Sequence, residues 1–242
     1  MSRSPRVRLL SVAAIASAAL VVSSCASTTN DVSQGAGQSS APVSKTISGF
    51  DLPQVLATAP DGKTLYVAQN DGTVVLVNTS DYTKAGSWNS GVTVPLGIAA
   101  SPDGSTIYMS NRTAGTVLKK KPETGANLGS WSVGSGTAPA GIALSPDGAT
   151  MYVPQNASAG TGADKLTVRT ASNGTLQKTW DFKKGSRPRA AAVSPDGKQV
   201  YVSFEGANRI AVLNAADGSE ITSFDLASLG FTTPGYLALS KN

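Results

Sequence analysis

The side chains that most often perform catalysis are scarce in this sequence. It contains no histidine and only one cysteine, Cys25. The absence of histidine removes the usual general base near neutral pH and the most common metal ligand. Serine–histidine–aspartate and cysteine–histidine arrangements are therefore excluded, and a lone cysteine forms no internal disulfide bond. We expect no catalytic residues, no metal and no cofactor.

A second set of side chains has the chemistry to bind an anion or a sugar. Amide and cationic groups donate hydrogen bonds to phosphate, carboxylate and hydroxyl oxygens. The candidates are Asn70, Asn111, Arg112, Lys183, Lys184, Arg187 and Arg189. Whether they act together depends on the elements that carry them.

Those elements are set by an internal repeat. Each copy contains the turn sequence Ser/Ala-Pro-Asp-Gly, with prolines at Pro60, Pro102, Pro146 and Pro195, spaced 42, 44 and 49 residues apart. Proline presets the backbone for a turn, aspartate caps it and glycine takes the left-handed conformation. We predict a hairpin turn in every copy and a structural role for its aspartate. A fifth copy begins at Pro234 and stops soon afterwards.

Each copy predicts four short strands. The first, of small and aliphatic residues, precedes the turn, and the third is aliphatic. The second strand carries a tyrosine (Tyr66, Tyr108, Tyr152, Tyr201), and the fourth carries an aromatic residue (Trp88, Trp131, Trp180, Phe224). Four antiparallel strands in a period of about 40–45 residues are typical of a β-propeller blade, and stacked blades bury such aromatics between them. We therefore predict an all-β, propeller-type domain over residues 45–242.

The repeat closely resembles the YVTN family of β-propeller repeats of bacterial and archaeal surface proteins. The resemblance rests on the turns and on the sequences that begin at Tyr66, Tyr152 and Tyr201, and it covers about residues 45–242. It implies the propeller fold. It says little about function, because members of the family are scaffolds for many tasks.

The number of blades departs from that family, whose rings are usually larger and often have seven blades. Only four complete units are present; residues 45–50 look like a fourth strand before the first unit, and 235–240 like a first strand after the last. Three architectures stay open: a closed small ring with the end strands at its seam, an open arc, or half of an eight-bladed ring completed by a homodimer. A shortened version of a larger propeller is also compatible with the sequence.

The N-terminal residues 1–24 have the features of a secretory signal. Three arginines precede an apolar run of 14 residues, 9–22, which is shorter than the roughly 20 residues of a membrane-spanning helix. The run ends in Val22-Ser23-Ser24-Cys25, which resembles the bacterial lipobox. That resemblance implies lipidation of Cys25 and cleavage before it, giving a stable acyl anchor. An ordinary signal peptide with a chance cysteine is the alternative.

The segment that follows is predicted to be a flexible tether. Residues 25–44 contain almost no large apolar side chain and cannot form a core. Without the three arginines of the signal, the net charge falls from +5 to +2, which gives no reason to expect nucleic-acid binding. We therefore expect an extracytoplasmic protein, lipid-anchored to the bacterial cell membrane.

Topology brings the candidate ligand residues to one end of the blades. The loops after second strands and the links between blades both open there, so we expect a basic, amide-rich rim. The sequence thus predicts a non-catalytic scaffold in the cell envelope that binds a protein or an anionic or sugar ligand, or a structural subunit of an envelope complex. A lactonase- or lyase-type hydrolase, as on related propellers, is the alternative. Only Asp71, Asp164 and Glu205 are acids near the rim.

Overall fold

The fold consists almost entirely of β-strands. The computed structural model describes residues 20–21, 45–134, 137–157 and 164–239. Within these ranges, the only helical segments are two single 3₁₀ turns, Glu205–Ala207 and Ala227–Leu229. None of the helical segments there is long and apolar enough to cross a membrane. A short parallel pair joins β1 (Leu20–Val21) to β2 (Lys45–Thr46).

Four antiparallel sheets, one for each predicted unit, follow in chain order and are called blades 1 to 4. Blade 1 contains β3 (Pro53–Thr58), β4 (Thr64–Gln69), β5 (Thr73–Asn78) and β6 (Lys84–Asn89). Blade 2 contains β7 (Ile98–Ala100), β8 (Ile107–Asn111), β9 (Thr116–Lys120) and β10 (Asn127–Ser132). The predicted all-β, propeller-like arrangement is confirmed.

Blades 3 and 4 continue the same order. Blade 3 contains β11 (Thr137–Pro139) and β12 (Ala143–Leu144), which share the first-strand position, then β13 (Thr150–Ala157), β14 (Lys165–Thr170) and β15 (Leu176–Asp181). Blade 4 contains β16 (Pro188–Val193), β17 (Gln199–Phe204), β18 (Arg209–Asn214) and β19 (Glu220–Asp225). In every blade the strands pair in sequence order, from the first to the outermost fourth strand.

The repeated Pro-Asp-Gly sequences form the hairpin turns between first and second strands. Their glycines, Gly62, Gly104, Gly148 and Gly197, have φ values of 72° or 73°. Each aspartate accepts a hydrogen bond from the backbone N–H two residues later, which closes the turn. The predicted positions and structural role of these turns are thus confirmed.

Consecutive blades are held together by buried apolar clusters. Tyr66 of blade 1 packs with Ile98 and Met109 of blade 2. Corresponding clusters join blade 2 to blade 3 and blade 3 to blade 4. Each of the first three repeated tyrosines is therefore buried by the blade that follows it, as the sequence predicts.

A second contact links the outer strands of consecutive blades. The tryptophan of each fourth strand lies over a glycine in the last turn of the next blade; the pairs are Trp88–Gly125, Trp131–Gly174 and Trp180–Gly218. A Cβ atom added to Gly218 would stand 2.4 Å from the indole Cγ of Trp180. Only glycine leaves room for the ring at this turn.

These contacts are not repeated between blade 4 and blade 1. Leu56 of blade 1 holds the repeat position of the buried Ile98 and Ile142, yet 46% of it is exposed. Gly62 has no atom within 4 Å of an added Cβ, whereas its counterpart Gly148 meets the ring of Pro102 at 2.8 Å. None of the four apolar clusters includes residues of both terminal blades.

The two terminal segments differ from the predicted extra strands. Residues 45–50 contribute only the two-residue strand β2, and residues 235–239 form no strand. A strand needs a neighbour for its backbone hydrogen bonds, and the second and third strands of a fifth blade are missing. Ile47 and Phe50 instead pack on the outer part of blade 1, and the Ser203 hydroxyl of blade 4 donates to the Gly235 carbonyl at 2.7 Å.

Candidate ligand-binding rim

The loop of residues 182–187, between blades 3 and 4, forms the centre of the candidate rim. Its first residue, Phe182, donates its N–H to the Asp164 carbonyl at 2.7 Å. At its other end, the Arg187 and Ser186 carbonyls accept the N–H groups of Glu205 and Gly206, both at 3.0 Å. The links between blades and the loops after second strands thus meet at one end, as the sequence predicts.

The carboxylate of Asp164 holds this loop by accepting hydrogen bonds from it. The carboxylate is buried, with 1% of the residue exposed. The Oδ2 atom accepts the Arg187 N–H at 2.9 Å and lies 3.5 Å from the Ser186 hydroxyl. Because a buried carboxylate needs hydrogen-bond donors, this arrangement holds the loop in one conformation.

Lys183 and Lys184 stand at the outer side of the loop and line a groove of about 850 Å³ between blades 3 and 4. Both side chains are exposed, and neither forms an ion pair with a described residue. The groove is also lined by Trp180, Phe182 and Arg209, and by the acidic residues Asp181, Asp217 and Glu220. The two ammonium groups beside aromatic surface can bind a ligand with an anionic head.

The other two predicted basic residues of this region are engaged. Arg187 forms an ion pair with Glu205 at 3.3 Å. The Arg189 guanidinium stacks over the ring of Tyr236, 5.6 Å from its centroid. Burial raises the pKa of the Tyr236 phenol, while the Arg189 cation opposes that shift. Neither arginine lines the groove.

Asn70, Asn111 and Arg112 lie on blades 1 and 2, away from the groove. The backbone N–H of Asn70 donates to the Leu52 carbonyl at 3.0 Å. The Asn111 side chain accepts the Ala114 N–H at 3.0 Å, so it closes its own loop. Arg112 is exposed. Among the seven predicted residues, the structure brings only Lys183 and Lys184 to the groove.

Arg209 is not among the seven candidate residues, although it follows a second-strand loop at the same end, and it joins the groove from β18. Its Nη1 atom donates to both carboxylate oxygens of Glu220 at 2.8 Å, and its guanidinium lies over the ring of Phe204. The available signal is its place at the start of a third strand, directly after the loop of Glu205–Ala207. Side chains at strand ends reach the rim as readily as those in loops.

A buried polar cluster under blade 3 was also missed. Arg169 is buried and has no carboxylate partner in the part of the chain that the structure describes. It donates to the Thr167 hydroxyl at 3.2 Å and to the Gly174 and Val133 carbonyls at 2.9 and 3.2 Å. Burial lowers the pKa of its guanidinium. Gln155 donates to the same Thr167 hydroxyl at 3.0 Å. The cluster ties blade 2 to blade 3 through the Val133 carbonyl, and Gln155, Thr167 and Arg169 do not line the groove.

The three carboxylates near the rim do not converge. Asp71 accepts the backbone N–H and the hydroxyl of Thr73, which together hold the pKa of this carboxyl below its ordinary value. Asp164 holds the 182–187 loop, and Glu205 pairs with Arg187. Within the described ranges, no three Asp, Glu, His or Cys side chains are placed to hold a metal ion.

Four antiparallel blades stacked in sequence, with loops gathered at one end, define a β-propeller protein. A family model described as "Lactonase, 7-bladed beta-propeller" matches residues 29–226. The chain belongs to this family. A comparison with curated proteins returns no match.

Among solved structures, the chain is similar to a Kuenenia stuttgartiensis hydrazine synthase chain. The two share 24% sequence identity with a TM-score of 0.56, over 76% of this chain and 52% of the other. The chain therefore spans about half the length of that protein. At this identity the likeness concerns the fold alone.

Proposed function

We propose that this chain is a lipid-anchored, extracytoplasmic propeller scaffold that binds an anionic ligand, without catalysis, in the groove beside the 182–187 loop. The observation that carries the proposal is the pair Lys183 and Lys184, which are exposed, line that groove and form no ion pair with any residue of the described ranges. Unpaired ammonium groups on a loop held rigid by Asp164 bind an anion without first breaking an ion pair.

The engagement of the rim carboxylates supports the non-catalytic part of the proposal. A hydrolytic carboxylate must be available to a metal, a water or a substrate. Asp71 caps a turn, Asp164 is held by the loop, and Glu205 is paired with Arg187. Each of the three therefore already has a structural partner.

Ligand binding is tested by calorimetric titration with two probes, an oligomer of glycerol phosphate and the neutral sugar maltohexaose. We expect the phosphate oligomer to bind the unaltered chain, and the double variant Lys183→Gln/Lys184→Gln to bind it at least tenfold more weakly. The matched control is Lys120→Gln/Lys121→Gln, which removes the same charge at the end of β9 and in the turn after it. Equal binding by all three proteins, or no binding, would refute the groove as the site.

Anchoring is tested separately by membrane fractionation of cells. The proposal requires lipidation of Cys25, which lies outside the described residues, as do most of the predicted signal of residues 1–24 and the tether. We expect the unaltered chain in the membrane fraction and the Cys25→Ala variant in the soluble extracytoplasmic fraction. Retention of the variant in the membrane fraction would contradict the anchor.

Lactone hydrolysis is the second candidate, and the family match favours it. It is tested by following acid release from gluconolactone with a pH indicator, with and without Ca²⁺. The scaffold proposal predicts no hydrolysis above the buffer rate. Hydrolysis that is lost in Glu205→Gln but kept in the surface control Glu123→Gln would replace the scaffold proposal with the enzymatic one.

A further inference from the structure

We propose that this chain associates head to tail with a second copy of itself, through blade 1 of one copy and the C-terminal end of blade 4 of the other. The proposal does not depend on ligand binding. It rests on the outward faces of blade 1 and blade 4, which are different surfaces. Each face is only partly covered, and the part that lacks apolar cover on blade 1 corresponds to the part that offers apolar surface on blade 4.

On blade 1, the inner part of the terminal face is open. Leu56 on the first strand is 46% exposed, although its repeat counterparts Ile98, Ile142 and Ala191 are each buried by the preceding blade. The outer part of the same face is covered, because Ile47 and Phe50 pack there on the second and third strands. A partner for blade 1 must therefore supply apolar surface at the level of the first strand.

On blade 4, the coverage is reversed. Residues 234–239, which we call the tail, follow the repeat as the first strand of a fifth unit would, and the Ser203 hydroxyl holds the Gly235 carbonyl against blade 4. The outward surface of the tail is apolar and exposed, with 42% of Tyr236 and 39% of Leu239 accessible. The tail thus offers apolar surface at the first-strand level, where blade 1 lacks it.

The outer parts of the two faces are complementary in charge. Beside the covered part of blade 1, Lys45 and Lys84 lie over the rings of Tyr82 and Phe50 and form no ion pair with a described residue. On blade 4, the exposed outermost strand β19 ends with Asp225. Docking of the first copy on the second would bring the lysines to the Asp225 carboxylate beside an apolar centre, as in specific interfaces.

This contact would extend an interface that the chain already uses three times. Consecutive blades bury apolar first- and second-strand residues against one another, and the second copy continues that stacking. Because the two faces are different surfaces, the contact is heterologous, and it closes into a ring or grows further depending on the rotation between copies.

The experiment is sedimentation velocity of the full chain in mild detergent over a range of concentrations. We expect a concentration-dependent shift to assemblies of whole copies. Leu56→Asp and Leu239→Asp should each weaken association at least tenfold. The control Leu128→Asp, an equally exposed leucine on β10, should leave association unchanged. Thermal melts by circular dichroism confirm that each variant is folded.

Direction is tested by exchanging charges. Lys84→Glu and Asp225→Lys should each weaken association. A mixture of the two variants should restore it, because in alternating copies one junction brings the two new charges together and the next keeps the original Lys84–Asp225 pair. A chain that stays monomeric at every concentration overturns the proposal. Association lost only in Leu239→Asp overturns the head-to-tail direction in favour of tail-to-tail pairing. Association kept in both leucine variants overturns the assigned faces.

Discussion

Trp180 of blade 3 lies over the backbone of Gly218 in the last turn of blade 4, and its ring is also 5.8 Å from that of Tyr152. The side chain therefore contacts its own blade and the following one. The same relationship joins Trp88 to Gly125 and Trp131 to Gly174. Blade 4 carries Phe224 at this repeat position, where no following turn covers it.

Removal of the Trp180 indole in blade 3 should lower the free energy of unfolding far more than removal of the Phe224 ring in blade 4. Trp180 is 6% exposed, and its replacement by alanine leaves a cavity between two blades. We expect Trp180→Ala to lower the free energy of unfolding by about 3–5 kcal/mol in urea titrations. Phe224→Ala, at the same repeat position, should cost clearly less. Equal losses would show that the outer contact between blades contributes little.

The hairpin glycines allow the contact between first-strand turns to be measured directly. Gly148 and Gly62 have the same φ of 72°, but an added Cβ meets Pro102 at 2.8 Å in the first case and nothing within 4 Å in the second. Both alanine variants bear the same backbone strain, so their difference reports the contact with the neighbouring blade. We expect Gly148→Ala to be the less stable by about 1–3 kcal/mol in urea titrations. A difference near zero would mean that Pro102 moves aside freely.

The hairpin aspartates should make stability sensitive to acid. The Ser101 hydroxyl, followed by the N–H and hydroxyl of Ser105, lowers the pKa of Asp103 to about 2. A carboxyl whose pKa is lower in the folded state stabilises the fold fully above its unfolded pKa, near 4, and loses this contribution as pH falls towards 2. NMR titration of the carboxyl carbon should show this low pKa.

Ser101→Ala provides the control for that assignment. Loss of the hydroxyl should raise the pKa of Asp103 towards its ordinary value and reduce the acid sensitivity of unfolding between about pH 4 and 2. The Ser145 and Ser194 hydroxyls donate to Asp147 and Asp196 in the same way and lower their pKa values. An unchanged pKa of Asp103 in Ser101→Ala would assign the shift to the N–H and hydroxyl of Ser105 instead.

The 182–187 loop should loosen when Asp164 is removed. Asp164→Ala leaves the Arg187 N–H without its acceptor in a partly buried site, at a cost of about 1–3 kcal/mol. We expect faster hydrogen–deuterium exchange at Arg187 and weaker binding of the phosphate oligomer. Asp164→Asn, which keeps an acceptor oxygen, should give an intermediate result. Unchanged exchange in Asp164→Ala would show that the loop is held by its backbone contacts alone.

Much of the fold could be predicted because the signals are local and repeated. The Pro-Asp-Gly turns and the tyrosines such as Tyr66 and Tyr152 mark the hairpins and second strands in every unit. The exposure of Leu56 could not be predicted, because it has the same character as its buried counterpart Ile98. Burial at that position depends on a neighbouring blade, and a periodic sequence does not state which unit lacks a neighbour.

The candidate site could be predicted only in part, for a related reason. Topology predicts that Lys183 and Lys184 lie at the rim, and in the structure both line the groove. It does not distinguish them from Arg187, which has the same charge but pairs with Glu205. Asn70 and Asn111 share the predicted end but lie on other blades. The topology shows at which end of the fold a loop lies, and it does not show where around the axis that loop is placed.

The last turn of blade 1 shows that the blades cannot be exchanged. Tyr82, with a φ of 64°, donates its N–H to Asn78 as Gly125, Gly174 and Gly218 donate to the equivalent carbonyls in the other blades. A gene duplication that placed a copy of blade 1 after another blade would bring the Tyr82 phenol to the position that the tryptophan of the preceding blade occupies. The two rings would then compete for the same space. Growth of such an array by copying is therefore restricted to its glycine-bearing units, and blade 1 is suited only to the first place.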